Sequence, residues 1–224
     1  MVGNCCQTSK TIAWKTVIFS YNSIVNITFS GPQSSGKTTL LKQMKQTRGI
    51  MDQFFYIDEV TRLVKREYNV KINEEGANDV TQLLIINKEL ENLFKYDYEL
   101  WPGCRGNVHD RCLLDGLIYT EYFHDKGLVS PYVWVQALNY WNKFNSKYDI
   151  IFYPDPHEIG LVDDGERSID VAFRNAIIEK YENFFLNRNQ WKDRTYINRV
   201  HKLQGTVEER MEQIKIILNE YTTR

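Results

Sequence analysis

The chain has 224 residues, 42% of them hydrophobic and 25% charged, and a formal net charge of −1. These values suit one globular domain with a real core and exclude the strongly basic field that wholesale nucleic-acid binding needs. No apolar run reaches the roughly 20 residues of a membrane-crossing helix, and four cysteines, Cys5, Cys6, Cys104 and Cys112, match no zinc-ligand spacing. Reduced thiols in a cytoplasmic setting are therefore expected.

Residues 1–22 lack an apolar core followed by a small-residue cleavage site, so they make a poor signal peptide. They are expected to be a flexible extension, or the product of a start placed too early, ahead of a single domain over 23–224. From Ser23 to Ser30 a β-branched run bounded by Gly31-Pro32 predicts a buried strand. Lys37 to Gln46 reads as a helix with Leu40, Leu41 and Met44 on one face.

Between these two elements lies Gly31-x-x-x-x-Gly36-Lys37-Thr38, a complete phosphate-loop pattern in the right strand-to-helix context. Its backbone N–H groups and the helix N-terminus favour bound phosphate. Gly31, Ser34, Ser35, Gly36, Lys37, Thr38 and Thr39 are the expected ATP-binding residues. In such a loop Lys37 bridges the β- and γ-phosphates, and the Thr38 hydroxyl is a ligand for Mg²⁺.

Further on, Phe54–Glu59 predicts a second strand, and Val60–Tyr68 a helix. Asn78–Leu100 is a long amphipathic segment, and Trp101–Asn107 a loop. Arg111–Gly116, with its Cys-Leu-Leu run, reads as a third strand. Ser130-Pro131 opens a helix through Lys147. Asp149–Pro156 is a fourth strand, Ile169–Asn187 a helix, and Arg194–Val200 a fifth strand. Thr206 and Glu209 announce a last helix with a capping box. Strand and helix alternate five times, which predicts an α/β fold with a parallel sheet covered on both faces and functional groups at the strands' carboxyl ends.

Acids stand at two of those predicted ends. Asp58 and Glu59 suit the base that takes a proton from an acceptor hydroxyl, with Arg62 one turn on to hold the substrate; the same acids also suit a capped helix start. Asp115 is expected to reach the metal through water. Arg167 and Arg174, around the Gly165 loop, suit closure over a transferring phosphate, although a mixed-charge surface loop would look the same.

Several pieces carry a resemblance: GPQSSGKTTL (Gly31–Leu40), DEVTR (Asp58–Arg62), LLDG (Leu113–Gly116), the run Tyr148–Ser168 with its D-D-G-x-R, and LQGTVEERMEQI (Leu203–Ile214). Together they make the chain, from Ser23 onward, resemble the P-loop family that contains the ribosylnicotinamide kinase domain of bacterial NAD-salvage proteins and related AAA-type ATPase/kinase domains. The resemblance implies a three-layer P-loop NTPase fold with a five-stranded parallel sheet of thymidylate-kinase-like order 2-3-1-4-5. It implies transfer of the ATP γ-phosphoryl group to a nucleoside-like acceptor and makes Arg167 and Arg174 lid residues. It also sets Leu203, Gly205 and Thr206 beside adenine, Asp115 near Mg²⁺, and Asp58 and Glu59 near the acceptor. Glu158-Ile159-Gly160-Leu161 replaces an aromatic-bearing segment of the nicotinamide kinases, so another nucleoside or nucleotide fits as well as ribosylnicotinamide.

Two other functions stay open. A polynucleotide hydroxyl would need a basic tract, for which Lys42, Lys45, Arg48, Lys65 and Arg66 are the material. A nucleotide-dependent switch would need no acceptor. A GTPase is disfavoured, since Asn87-Lys88-Glu89-Leu90 lacks the Asp of the guanine-reading motif.

Overall fold

The computed structural model describes residues 24–72, 74–95, 104–160, 170–186 and 197–222. The expected N-terminal extension and Arg167 lie outside them. Five parallel strands form one sheet in the order β2-β3-β1-β4-β5, the order anticipated above. They are β1 (Val25–Phe29), β2 (Phe54–Ile57), β3 (Gly106–Asp110), β4 (Ile150–Pro154) and β5 (Val200–Leu203). The helices between and after them are α1 (Lys37–Gln46), α2 (Val60–Tyr68), α3 (Asp79–Lys95), α4 (Leu113–Asp125), α5 (Pro131–Phe144), α6 (Val171–Leu186) and α7 (Val207–Thr222).

The period-2 alternation of a strand sends its side chains to two different cores. Ile150 and Phe152 join Leu40 and Met44 of α1 and Ile214 and Leu218 of α7 on one face. Ile151 and Tyr153 join Leu117, Trp141 and Ile177 of α4, α5 and α6 on the other. Two layers of helix thus bury both faces of the sheet, as an all-parallel sheet requires.

The third strand corrects the sequence reading. Arg111–Gly116 is not a strand; the strand is Gly106–Asp110, and Leu113 already begins α4. Only Val108 of this strand faces an apolar core. On its other face Asn107 donates to Asn26 Oδ1 at 2.9 Å, and the His109 ring packs edge-on against Tyr148 at 5.9 Å. The Cys-Leu-Leu run resembled a strand because α4 is buried nearly all round, with Leu114, Leu117, Ile118 and Phe123 at 0–1% exposure. The fifth strand is likewise displaced. Of the expected Arg194–Val200, residues 194–196 lie outside the described residues and Ile197–Arg199 form a 3-10 turn, while β5 begins at Val200 and runs on to Leu203 beside Pro154.

The helix starts follow local chemistry. Pro131 occupies the first turn of α5, although the Ser130 hydroxyl makes no capping bond; its N–H donates to Asp79 Oδ1 at 2.6 Å. Thr206 and Glu209 exchange the reciprocal bonds of a capping box, at 2.7 and 3.2 Å.

Candidate active site

The phosphate loop leaves β1 at Ser30, whose N–H donates to Phe152 O at 3.0 Å. Gly31 adopts φ +145° and Gly36, immediately before α1, φ +91°. That left-handed dihedral favours glycine at position 36, and a Cβ there would also push on the tip of Ile159 at 2.7 Å. The buried Lys37 Nζ donates to Gly31 O at 2.7 Å and Pro32 O at 2.6 Å, and so lies across the loop it would serve. Ser34, Gly36, Lys37, Thr38 and Thr39 line one cleft that continues past Gly205, Thr206 and Arg210. Leu203 does not reach this cleft. It is fully buried, with its carbonyl accepting from Asp155 N at 2.8 Å.

Arginines brace this cleft from behind. Arg210, 1% exposed, donates to Ser35 O, Gly205 O, Asp155 O and Glu158 Oε2 at 2.8–3.2 Å. The buried Arg174 donates to Pro156 O at 2.6 Å, Ile159 O at 2.7 Å and Gln33 O at 3.4 Å. Its guanidinium therefore ties α6 to the phosphate loop and the end of β4, which differs from the lid role expected of it. Arg174→Ala strands those carbonyls and should cost about 1–3 kcal/mol of stability, seen as a fall in Tm. An unchanged Tm with reduced turnover would restore the lid assignment.

The acids separate by environment. Asp58 is 78% exposed and pairs with Lys45 Nζ at 3.4 Å. Glu59 is 7% exposed, accepts from Arg111 Nε at 2.7 Å through Oε1 and forms an ion pair with Arg62 Nε at 2.9 Å through Oε2. Asp115 sits in the first turn of α4 instead of at a strand end. Its Oδ1 accepts from Gly31 N at 3.2 Å, Tyr181 Oη at 2.8 Å and Arg111 at 3.3 Å, while Oδ2 accepts from Cys112 N at 3.1 Å. Both oxygens are committed to holding the loop and capping the helix, so the expected metal role does not fit it.

The residue at the end of β3 is Asp110, which the misplaced strand concealed. Asp110 and Thr38 line the same cleft, and Asp110 Oδ1 is buried without a hydrogen-bond partner. Burial, reinforced by Glu59, raises its carboxyl to about 6. An orphaned acid oxygen on a residue that shares a cleft with the phosphate-loop Thr38 fits a divalent cation. Arg111, next in sequence, takes φ +85°, costly for a bulky side chain, and its N–H donates to Phe29 O at 3.0 Å. That turn aims its guanidinium between Glu59 and Asp115.

A second cavity opens beside the first. Gln33, Glu59, Thr61, Gln82, Glu89, Arg111 and Asp115 supply its polar groups, and Tyr119, Phe123 and Phe173 part of its wall. Among the described residues, Glu59 alone lines both this cavity and the cleft of Thr38 and Asp110. Burial, reinforced by Asp115, pushes the Glu89 carboxyl well above the usual range; Asp110 and Glu59 act in the same direction and Arg111 against it. The native state then keeps a proton that the unfolded chain releases, so stability falls as pH rises from about 4 toward the folded value. Glu89→Gln should flatten this decline in ligand-free thermal melts between pH 5 and 8. An identical slope in the variant would show that Glu89 is ionised in the folded protein.

Residues 26–210 match the family model described as AAA domain. No curated protein sequence matches the chain. Among solved structures, NadR protein in complex with NR aligns at a TM-score of 0.64 and 17% identity over 90% of this chain. NadR protein in complex with NAD and AMP-PNP aligns at 0.63 and 15%, again over 90%. The chain spans about half the length of those two NadR chains, 52% and 50%. Deoxyadenosine kinase from M. mycoides, with products dCMP and a flexible dCDP bound, aligns at 0.58 and 16%, over 88% of this chain and 100% of that one. At these identities the likeness is one of fold.

Proposed function

The chain belongs to this AAA-domain family, and from that premise we propose that it is an ATP-dependent kinase whose acceptor is a nucleoside or nucleotide. The observation that carries the reading is the position of Glu59 at the junction of two cavities, one beside the phosphate loop and one lined by aromatic rings. Phosphoryl transfer asks a protein for positioning and charge neutralisation more than for covalent chemistry. In this reading ATP occupies the cleft from Lys37 to Thr206, with Gly205 and Thr206 at the adenine end. Lys37 neutralises the transferring phosphates. Glu59, aligned by Arg111 and Arg62, takes the proton from the acceptor hydroxyl as the new P–O bond forms and the bond to ADP breaks. Thr38 and Asp110 would hold Mg²⁺, which supplies charge neutralisation for the phosphates when bound. The solved structures of like fold, NadR and deoxyadenosine kinase, support a nucleoside-type acceptor.

Asp110→Asn keeps the size of the side chain and removes its charge. It should lower Mg²⁺-dependent turnover by about 10²-fold or more. Turnover that stays within a factor of about two, with the same Mg²⁺ requirement, would remove Asp110 from the metal site.

The direct test is ADP formation with Mg²⁺ against ribosylnicotinamide, ribonucleosides, deoxynucleosides and their monophosphates. Acceptor-dependent ADP release is the expected result. ATP hydrolysis that no acceptor accelerates would overturn the kinase reading in favour of a switch. A polynucleotide hydroxyl is a second reading, favoured by Lys42, Lys45, Arg62 and Arg66, which line one cleft with Thr38 and Asp110. Phosphorylation of a 5′-hydroxyl oligonucleotide, with no turnover on free nucleosides, would select it.

A further inference from the structure

The cavity behind Glu59 has an unequal set of unused hydrogen-bonding groups. Gln33, 4% exposed, accepts from Tyr119 Oη at 2.7 Å through Oε1, which leaves its Nε2 buried without a partner. Gln82, 1% exposed, accepts from Thr120 Oγ1 at 3.1 Å through Oε1, which leaves its amide N–H groups as the side that can serve the cavity. Glu89, 3% exposed, lines the same space. Three polar side chains from the phosphate loop and α3 therefore present mainly donors to one small space.

The charges beside them are already balanced. Glu59 is held by Arg111 and Arg62, and Asp115 by Arg111 and Tyr181, so these two carboxylates face two guanidinium groups. Burial shifts Glu89 toward its neutral form. A buried carboxylic acid in this form donates a hydrogen bond. The walls are flat and apolar: Phe123 and Phe173 lie 23° apart in ring plane at 6.0 Å, and Tyr119 meets Phe173 edge-on at 6.1 Å. Ile72 and Ile85 stand in the same lining.

We propose that this cavity seats an uncharged, planar heterocycle, and that Gln33 and Glu89 select it by donating to ring carbonyl or ring nitrogen atoms on its edge. A cationic ring would meet these donors and the Arg111 guanidinium, with the Glu59 and Asp115 carboxylates already engaged by Arg111, Arg62 and Tyr181. The inference deepens the kinase reading and rests on it for calling the bound molecule an acceptor. It adds that the acceptor carries a neutral base, and that one of the residues reading that base belongs to the phosphate loop.

The test is calorimetric binding to the full chain, with a non-hydrolysable ATP analogue present. Thymidine and deoxyadenosine serve as neutral probes and ribosylnicotinamide as the cationic one. At least one neutral nucleoside should bind about tenfold or more tightly than ribosylnicotinamide, about the value of one well-formed hydrogen bond. Glu89→Ala should weaken that nucleoside by a similar factor. Glu89→Gln, which keeps a donor, should recover most of the loss. Gln33→Glu replaces the donor with a carboxylate and should shift the ranking toward ribosylnicotinamide. If Glu89→Ala does not fold, Glu89→Met replaces it at similar volume.

Equal or tighter binding of ribosylnicotinamide overturns the inference, as does failure of every probe to bind or indifference to both substitutions. The two readings fail separately. Neutral nucleosides that bind with this pattern but never yield ADP would sink the kinase reading alone. Nucleosides that are phosphorylated equally by wild type, Glu89→Ala and Gln33→Glu would sink this inference alone.

Discussion

Lys37→Ala should abolish ATP-dependent phosphoryl transfer, with a loss of at least about 10²–10³-fold in turnover, while the chain stays folded. The ammonium group is the one cation of the phosphate loop itself. It is 3% exposed and bonded to the carbonyls of Gly31 and Pro32, so it stands inside the loop and does not wave from its rim. Alanine leaves those two carbonyls short of a donor, and a modest drop in Tm is expected from that alone. The informative comparison sets turnover against ATP affinity. A group that acts on charge developing in transfer lowers kcat more than it weakens nucleotide binding. A Lys37→Ala protein that kept more than a tenth of its turnover would remove the phosphate loop from the mechanism.

The second large effect separates two neighbouring acids. Glu59→Gln should lower kcat by about 10²–10⁴-fold, the range that general-base catalysis supplies. Asp58→Asn should change it by about twofold, the range of a surface substitution. The two carboxylates are adjacent in sequence but opposite in setting. Asp58 lines the cleft of Thr38 and Asp110 but is largely solvent-exposed and paired with Lys45. Glu59 is buried, aligned by Arg111 and Arg62, and shared by both cavities. Glutamine keeps the shape of Glu59 and one acceptor for the arginines, so a loss of fold is not expected. Matched losses in Asp58→Asn and Glu59→Gln would mean that the acids act on the fold or on long-range charge. A Glu59→Gln effect confined to KM would make it a positioning residue for the acceptor.

The corrections at β3 and β5 share a physical origin. A strand is recognised in a sequence by apolar residues at every second position, and Gly106–Asp110 offers one, Val108. Its other face is buried all the same, because Asn107 finds its partner in Asn26 on the adjacent strand and His109 packs on Tyr148. Those partners lie 81 and 39 positions away in the chain, and no window of sequence contains both. The misplacement carried Asp115 forward as the strand-end acid and hid Asp110. The pair Asp110-Arg111, an acid and a base immediately before an apolar helical run, was the available signal, and in the correct frame it marks the strand's carboxyl end.

The phosphate loop, the five-fold alternation of strand and helix, the sheet order through family resemblance, and the capping box at Thr206 were all legible in the sequence by itself. Each rests on residues close together in the chain, where spacing alone decides which backbone groups meet. Only the tertiary structure decided that Glu59 lines both cavities while Asp58 lines just the cleft of Thr38 and Asp110, that Asp115 is spent on Gly31, Tyr181 and Cys112, and that Arg174 is bound to three carbonyls. It alone brought Gln33, Gln82 and Glu89 to one wall. Burial and hydrogen-bond partnership determine what a polar side chain can do, and both are set by elements that meet across the sheet, far apart in the chain.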